Sequence, residues 1–177
     1  MIKVQMMVLL LAVVTLTAFA EEKGKLNEHL EPFRPFLGKT WKGELKEPGK
    51  TEASTDVSRW ERALNGEAIR TLHSVDDGAY GGETIIIWDA AQKKLFYFYF
   101  TTAGFRTTGT FTIEGKKFIA EEEVTGSAQG VTKVRSASEL RDDGTFASKS
   151  EYFKDSKWVP GHEQVYREDP KAEVKFK

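Results

Sequence analysis

The stretch ETIIIWDAAQKKLFYFYF, residues 83–100, decides the fold of this chain. Its two apolar arms, residues 83–88 and 95–100, are rich in β-branched and aromatic residues, which favour β-strands, and the polar segment between them predicts a turn. Successive side chains of a strand alternate between two faces, and both faces of the second arm are apolar. We therefore expect a core on one side of this strand. The other side would be covered by the segment before residue 40 or by a second subunit, the latter making a homodimer.

Further strand-like segments follow one another from Thr40 to the end of the chain. They recur about every ten residues and are separated by turn signals such as Asn65-Gly66. Short turns force neighbouring strands to be antiparallel, and closure of such a meander removes its exposed edges. The sequence therefore predicts an all-β fold, a roughly ten-stranded antiparallel up-and-down barrel with a short N-terminal helix. A two-sheet sandwich is the alternative.

Four segments are predicted along the chain. Residues 1–20 have the order of a secretory signal peptide, because a weakly basic start and an apolar run lead to the small-x-small site Ala18-Phe19-Ala20. A retained membrane anchor is the alternative, but the apolar run is short for a membrane span. Residues 21–39 form a lead-in with a short helix, residues 40–168 the barrel, and residues 169–177 a charged tail that we expect to be frayed.

Composition excludes several classes of function. Without residues 1–20 the chain has 25 basic and 27 acidic residues, a balance that argues against a nucleic-acid partner or an anionic membrane surface. The chain contains no cysteine, which excludes disulfides, thiol catalysis and a lipoprotein anchor. We expect an exported protein, periplasmic or secreted, with no stable membrane span once the signal peptide is removed.

The segment LGKTWKGE, residues 37–44, resembles the first strand of calycin barrels. Lipocalins begin with Gly-x-Trp and nitrobindin-like barrels with Leu-x-Gly-Thr-Trp-x-Gly-Glu, although Lys39 is an insertion relative to the second pattern. Residues 82–109 are similar to secreted lipocalin-like proteins of unassigned function. The resemblance implies a basic residue of the last strand lying across the first-strand tryptophan, here Arg167 over Trp41. We accordingly interpret Trp41, Gly43 and Arg167 as structural.

The resemblance to nitrobindin-like barrels also implies a haem held by one histidine. Of the three histidines, only His162 lies in the C-terminal part where such a ligand could come from, and its surroundings differ from the family's ligand region. The histidine spacing matches no zinc motif. We therefore expect no metal and no cofactor, with haem as the alternative.

The late strands place small and hydroxyl side chains on the face that we expect to point inward. Serines among aromatic residues would leave space and offer polar groups, as in a ligand pocket, although a completely filled barrel is the alternative. Glu122 shares the face of Phe118 and Ala120, which would make it an interior carboxyl suited to acid/base work or ligand anchoring. Its alternative is a solvated charge run, residues 121–123. The predicted ligand-binding residues are His73, Tyr97, Tyr99, Phe111, Glu122, Ser136, Ser150, Tyr152 and His162.

These observations predict a binding protein for a small, largely apolar molecule held inside the barrel. An enzyme of the same fold, with Glu122, His73 or His162 as acid/base, is the second hypothesis. The sequence contains no Gly-x-Ser-x-Gly elbow and no phosphate-binding glycine loop. A haem-dependent, nitrobindin-like activity is the third hypothesis.

Overall fold

Ten antiparallel strands form one closed barrel in chain order, in which β1 pairs with both β2 and β10. This structure, a computed structural model, describes residues 24–127 and 129–177. The predicted signal peptide, residues 1–20, lies outside the described residues. The strands are β1 (Thr40–Lys46), β2 (Ser54–Ala63), β3 (Ala68–Val75), β4 (Tyr80–Asp89), β5 (Lys94–Thr101), β6 (Arg106–Glu114), β7 (Lys117–Thr125), β8 (Lys133–Leu140), β9 (Phe146–Lys154) and β10 (Lys157–Glu168).

The predicted fold class is confirmed, and the two-sheet sandwich is wrong, because the first strand has hydrogen-bonded partners on both edges. The turns between strands use residues that accept a positive φ. Asn65 (φ 55°) and Gly66 (φ 95°), for example, lie in the short 3-10 turn Leu64–Gly66 between β2 and β3. Among the described residues, no helix is both long and apolar enough to cross a membrane.

The N-terminal segment forms a 3-10 helix, Glu28–Phe36. Pro32 and Pro35 lie inside it and have no amide hydrogen to donate, which keeps the helix short. The side chain of Asn27 caps its start by accepting a hydrogen bond from the His29 amide at 3.1 Å. This helix, which we call the plug, lies within one end of the barrel.

The plug is held by its apolar side chains. Phe33 and Phe36 are each 1% exposed. The Phe33 ring centroid lies 5.6 Å from that of Phe111, and the Phe36 centroid lies 4.9 Å from those of Trp60 and Phe146. Burial of such a side chain stabilises the fold by about 1.5–3 kcal/mol. The plugged half of the barrel is therefore a filled aromatic core.

The outer face of β5 remains exposed in the single chain. Phe98 and Phe100 are 37% and 52% exposed, while the alternate residues Leu95 and Tyr97 are buried inside. The expectation that the lead-in segment covers this outer face is wrong, because the plug buries its apolar side chains inside the barrel instead. A homodimer through this face remains a prediction.

The C-terminal tail is docked on the barrel and not frayed as expected. It starts with a hydrogen bond from the Asp169 amide to the Thr40 carbonyl, 2.8 Å in length, and returns along the outside of β1, β2 and β3. Near its end, the Lys175 amide donates to the Ser74 hydroxyl at 3.0 Å, and the Lys175 ammonium group lies 2.8 Å from Asp77. Main-chain and side-chain contacts at both ends thus fix the tail.

The predicted stacking of Arg167 on Trp41 is wrong. Arg167 pairs with Lys42 across the two strands and points outward, with its guanidinium 3.9 Å from Asp143 and its side chain 70% exposed. The cation next to Trp41 is instead Lys39, whose ammonium group lies 5.8 Å from the ring centroid. Trp41 itself is 3% exposed and packs against the plug. Arg167 cannot reach Trp41 because side chains alternate along β10, so that Arg167 lies on the outer face and Tyr166 on the inner face.

Candidate functional site

The half of the barrel interior that the plug leaves free, which we call the open half, is lined by polar and aromatic side chains. Direct cross-strand partners share a face, so the register shows which side chains project inward. The structure brings together most of the predicted ligand-binding residues there: His73, Tyr97, Tyr99, Glu122, Ser136, Ser150, Tyr152 and His162. Phe111 lies instead in the plugged half, where its ring packs against Phe33 and Tyr97.

Asp56 is the most deeply buried charged group of the open half, at 1% exposed. Its carboxylate accepts hydrogen bonds from the Tyr166 hydroxyl at 2.6 Å and from the Gln164 amide at 3.3 Å, and it lies 3.2 Å from Nδ1 of His73. Sequence reasoning missed Asp56. Asp56 lies four residues before Trp60 on β2, and residues an even number of positions apart share one face of a strand. This spacing could have placed Asp56 on the inward face.

A chain of hydrogen bonds leads from Asp56 toward the open end of the barrel. Nε2 of His73 lies 2.7 Å from the Tyr99 hydroxyl, which in turn lies 2.7 Å from the Tyr80 hydroxyl. With Nδ1 donating to Asp56, Nε2 accepts from Tyr99, and Tyr99 accepts from Tyr80. Gly82 makes this arrangement feasible, since a Cβ there would lie 2.4 Å from the Tyr99 ring. The two ring nitrogens of His73 are thus both engaged.

Glu122 is an interior carboxyl, one of the two alternatives that the sequence left open, and not part of a solvated charge run. It lies opposite Gly109 in the β6–β7 register, and its carboxylate accepts a short hydrogen bond from the Thr107 hydroxyl. Burial raises its pKa, against the lowering effect of hydrogen bonds from Thr107 and Tyr97. Glu121 and Glu123, by contrast, are exposed on the outer face of β7.

His162 is turned into the barrel by an irregularity in β10. The register with β9 shifts between Pro160 and Glu163, and Nδ1 of His162 forms a short hydrogen bond with the Tyr152 hydroxyl. Burial lowers the pKa of His162, which favours the neutral imidazole near neutral pH. Ser150, 1% exposed, is already committed within the protein because its hydroxyl donates to the His162 carbonyl at 3.0 Å.

The phenols of the open half are neutral hydrogen-bonding groups. Burial is the main cause of the raised pKa of each of Tyr80, Tyr97, Tyr99 and Tyr152. The charge of Glu122 contributes to the raised pKa of all four. These four phenols come from β4, β5 and β9, and Tyr97 among them hydrogen-bonds to the Glu122 carboxyl.

The open half is not packed solid. Glu122, Tyr152 and His162 project inward yet remain half-buried, and so do Ser136 and Ser138 on β8. The Ser138 hydroxyl donates to that of Ser148 at 2.9 Å, and Ser136 pairs with Ser150 beside them, so small side chains line the middle of this wall. Side chains that point into a barrel and still retain accessible surface border a space that solvent or a ligand can enter.

Each of the three histidines is engaged in contacts within the protein. Among the described residues, no group of three or more His, Asp or Glu side chains is placed to hold a metal ion. His29 stacks on Trp88 at the plug, with ring centroids 3.6 Å apart, and both nitrogens of His73 are bonded. His162 contacts the Tyr152 ring and hydroxyl, and a haem held by His162 stays the alternative prediction.

Comparison with known proteins supports the β-barrel fold. No protein-family model matches the chain, and no curated protein sequence matches it. Among solved structures, the crystal structure of Rv2717c from M. tuberculosis is similar, with a TM-score of 0.60 and 12% sequence identity, over 82% of this chain and 99% of that chain. The chain is therefore a closed ten-stranded antiparallel β-barrel over the described residues, and its fold is similar to that of the solved structure.

Proposed function

We propose that this protein binds a small molecule in the open half of the barrel. The observation that carries this proposal is the division of the interior. One half is filled by the plug, while the other keeps half-buried hydroxyl, imidazole and carboxyl groups around accessible space. A concave site with aromatic walls and a few converging polar groups is the usual composition of a ligand site.

The side chains that line the open half indicate which kind of molecule it would bind. The sequence favoured a largely apolar molecule, but the aromatic core has taken up most of the apolar interior. The open half offers phenol faces together with hydroxyl groups, and unsatisfied polar groups inside a protein are costly. We therefore propose a ligand that combines a flat apolar body with hydrogen-bonding groups.

Acid/base catalysis in the same site is a second candidate, favoured by the chain Asp56–His73–Tyr99–Tyr80. A buried carboxylate that orients a histidine against a hydroxyl is an arrangement suited to proton transfer. If the protein is an enzyme, replacing His73 with Phe would abolish turnover while ligand binding persists. In a pure binding protein, this variant would alter affinity alone.

Native mass spectrometry of the protein isolated from its own host, with an absorption spectrum recorded alongside, tests the binding proposal. A bound small-molecule mass would support it, and a Soret band lost in His162→Ala would replace it with haem binding. Ser136→Trp, which fills the half-buried wall, should lose the ligand, whereas Ala137→Trp on the exposed outer face of β8 should retain it. An unliganded wild type, or equal retention by the two tryptophan variants, would contradict binding in the open half.

Export is proposed from the first twenty residues, with a homodimer through the outer face of β5 as a second proposal about assembly. Intact-mass analysis of protein from the cell envelope or medium should show the loss of residues 1–20. A full-length mass would contradict export.

For the dimer, Phe98→Lys and Phe100→Lys together should convert a dimer to a monomer in sedimentation analysis, and a wild-type monomer would contradict it.

A further inference from the structure

Glu122 is a carboxyl group in the interior of the barrel that has no basic partner among the described residues. The groups that hold it are neutral: the hydroxyl of Thr107 and the phenol of Tyr97. A carboxylate taken out of water without a cation is costly to a fold. Such a group, on a wall that borders accessible space, is a candidate for direct contact with a ligand.

The interior of the open half carries no lysine or arginine in the part of the chain that the structure describes. Arg62, on the inward face of β2, lies at the plugged end and donates to the Lys25 carbonyl, while basic residues on the outer faces of the strands form ion pairs with surface carboxylates. Examples are Arg70 with Glu83, Arg135 with Glu151 and Lys133 with Glu123. The neutral His162 adds no positive charge. The acidic side chains that line the open half are therefore Asp56, which contacts His73, and Glu122, which has only neutral partners.

Aromatic side chains from strands on both sides of β7 share the interior with the same carboxyl. Tyr80, Tyr97, Tyr99 and Tyr152 come from three strands on different sides of Glu122, and Tyr80 stacks on Phe105 toward the open end. The faces of aromatic rings attract cations, most strongly where water is excluded. Carboxylate and aromatic walls together are the chemistry by which proteins recognise organic ammonium groups.

We propose that the open half takes a small organic cation, an amine with an apolar or aromatic body, whose ammonium group lies on Glu122 among the tyrosine rings. This inference rests on the proposed binding function and names the class of ligand. It also excludes fatty acids and other anionic molecules, because their carboxylates would meet Glu122 with no basic side chain to neutralise either charge.

Three probes of matched size separate charge from shape: phenethylamine, phenethyl alcohol and phenylacetate. Isothermal titration calorimetry of the full chain should show the amine binding at least tenfold more tightly than the alcohol, and phenylacetate not binding. Glu122→Gln should reduce the affinity for the amine to that for the alcohol. Glu121→Gln, the exposed neighbour on the outer face, should leave all three unchanged.

Proton release on ligand binding provides a second, independent measurement of the contact with Glu122. Because Glu122 has a raised pKa, binding of an ammonium group should release a proton from it, and affinity should rise with pH as this carboxyl ionises. The surrounding titratable groups are the four tyrosines, His162 and the Asp56–His73 pair. Calorimetry in buffers of different ionisation enthalpy should therefore detect proton release in wild type and not in Glu122→Gln.

Two outcomes would overturn the inference while leaving the proposed function intact. One is binding of the alcohol and the amine with equal affinity. The other is an amine preference that survives in Glu122→Gln with unchanged proton release. Failure of the amine to bind also overturns the inference, and the proposed function then depends on whether the native protein carries a different small molecule. Thermal unfolding of each variant confirms that the barrel remains folded.

Discussion

The ring of Tyr97 lies against Gly109 on the neighbouring strand, so that Cζ and the hydroxyl oxygen are each 2.7 Å from where a Cβ at residue 109 would stand. The glycine therefore lets the phenol reach Glu122 across the wall of the barrel. A side chain at residue 109 would occupy the space of the Tyr97 ring, and neither that ring nor the Glu122 carboxyl could then keep its position.

Replacing Gly109 with Ala should destabilise the protein by about 1–3 kcal/mol, because the added methyl overpacks against Tyr97 and the Glu121 carbonyl. Urea unfolding followed by tryptophan fluorescence measures this loss. Thr112→Ser, exposed on the same strand, serves as the control and should stay within about 0.5 kcal/mol of wild type. Equal stability of the two variants would show that Tyr97 can move aside freely.

Replacing Asp56 with Ala should destabilise the barrel by roughly 3 kcal/mol. The buried hydroxyl of Tyr166 and Nδ1 of His73 would both lose their acceptor, and each unsatisfied buried group costs about 1–3 kcal/mol. Asp142→Ala, at a carboxylate that is 92% exposed and pairs with Lys116, should change the unfolding free energy by at most about 1 kcal/mol. Similar effects in denaturant titrations of the two variants would contradict a central role for Asp56.

Replacing Phe33 with Ala should cost about 3–5 kcal/mol, because it removes a ring that is 1% exposed from the centre of the plug. The matched control is Phe100→Ala, which removes a ring that is 52% exposed and should cost about 0.5 kcal/mol or less. Chemical denaturation with circular dichroism compares the two. If the plug were dispensable, the Phe33 variant would unfold at the same denaturant concentration as the control.

Replacing Glu122 with Gln should stabilise the protein at alkaline pH. The pKa of Glu122 is raised in the folded state by burial, so the folded protein holds a proton that the unfolded chain has released. Wild-type stability therefore falls as pH rises from the ordinary glutamate range through the raised pKa. The variant lacks this loss, and its advantage should disappear at acid pH.

Thermal unfolding of wild type and Glu122→Gln across a pH series measures that difference. His162 gives the opposite slope, since its lowered pKa removes stability as the pH falls below the ordinary histidine range. Both proteins share this second effect, so their difference isolates Glu122. A difference that does not vary with pH would show that the carboxyl is not held in a raised-pKa environment.

Much of the open half could be predicted from the sequence. Two-residue periodicity placed Glu122, Ser136 and Tyr152 on inward faces, because side-chain direction in a strand is set locally. Asp56 and Tyr80 were missed, since their roles arise from contacts between distant strands. Spacing along the chain could have placed Asp56 on the inward face of β2, but it could not have shown the partners of either residue. The stacking of Arg167 on Trp41 failed for a local reason: residue 167 points outward in the register that the barrel adopts.

Local features of the sequence are enough to predict the strands and their antiparallel order around a barrel, because strand propensity, turn residues and short connections act over a few residues. Which end of the barrel is filled depends on packing between segments that are distant in the chain. The apolar residues of the plug could have covered the outer face of β5, but they lose more water-exposed surface among the aromatic rings inside. The tertiary structure also brings Asp56, His73 and Tyr99 together, because their contacts depend on the register of β2 to β5 around the closed sheet.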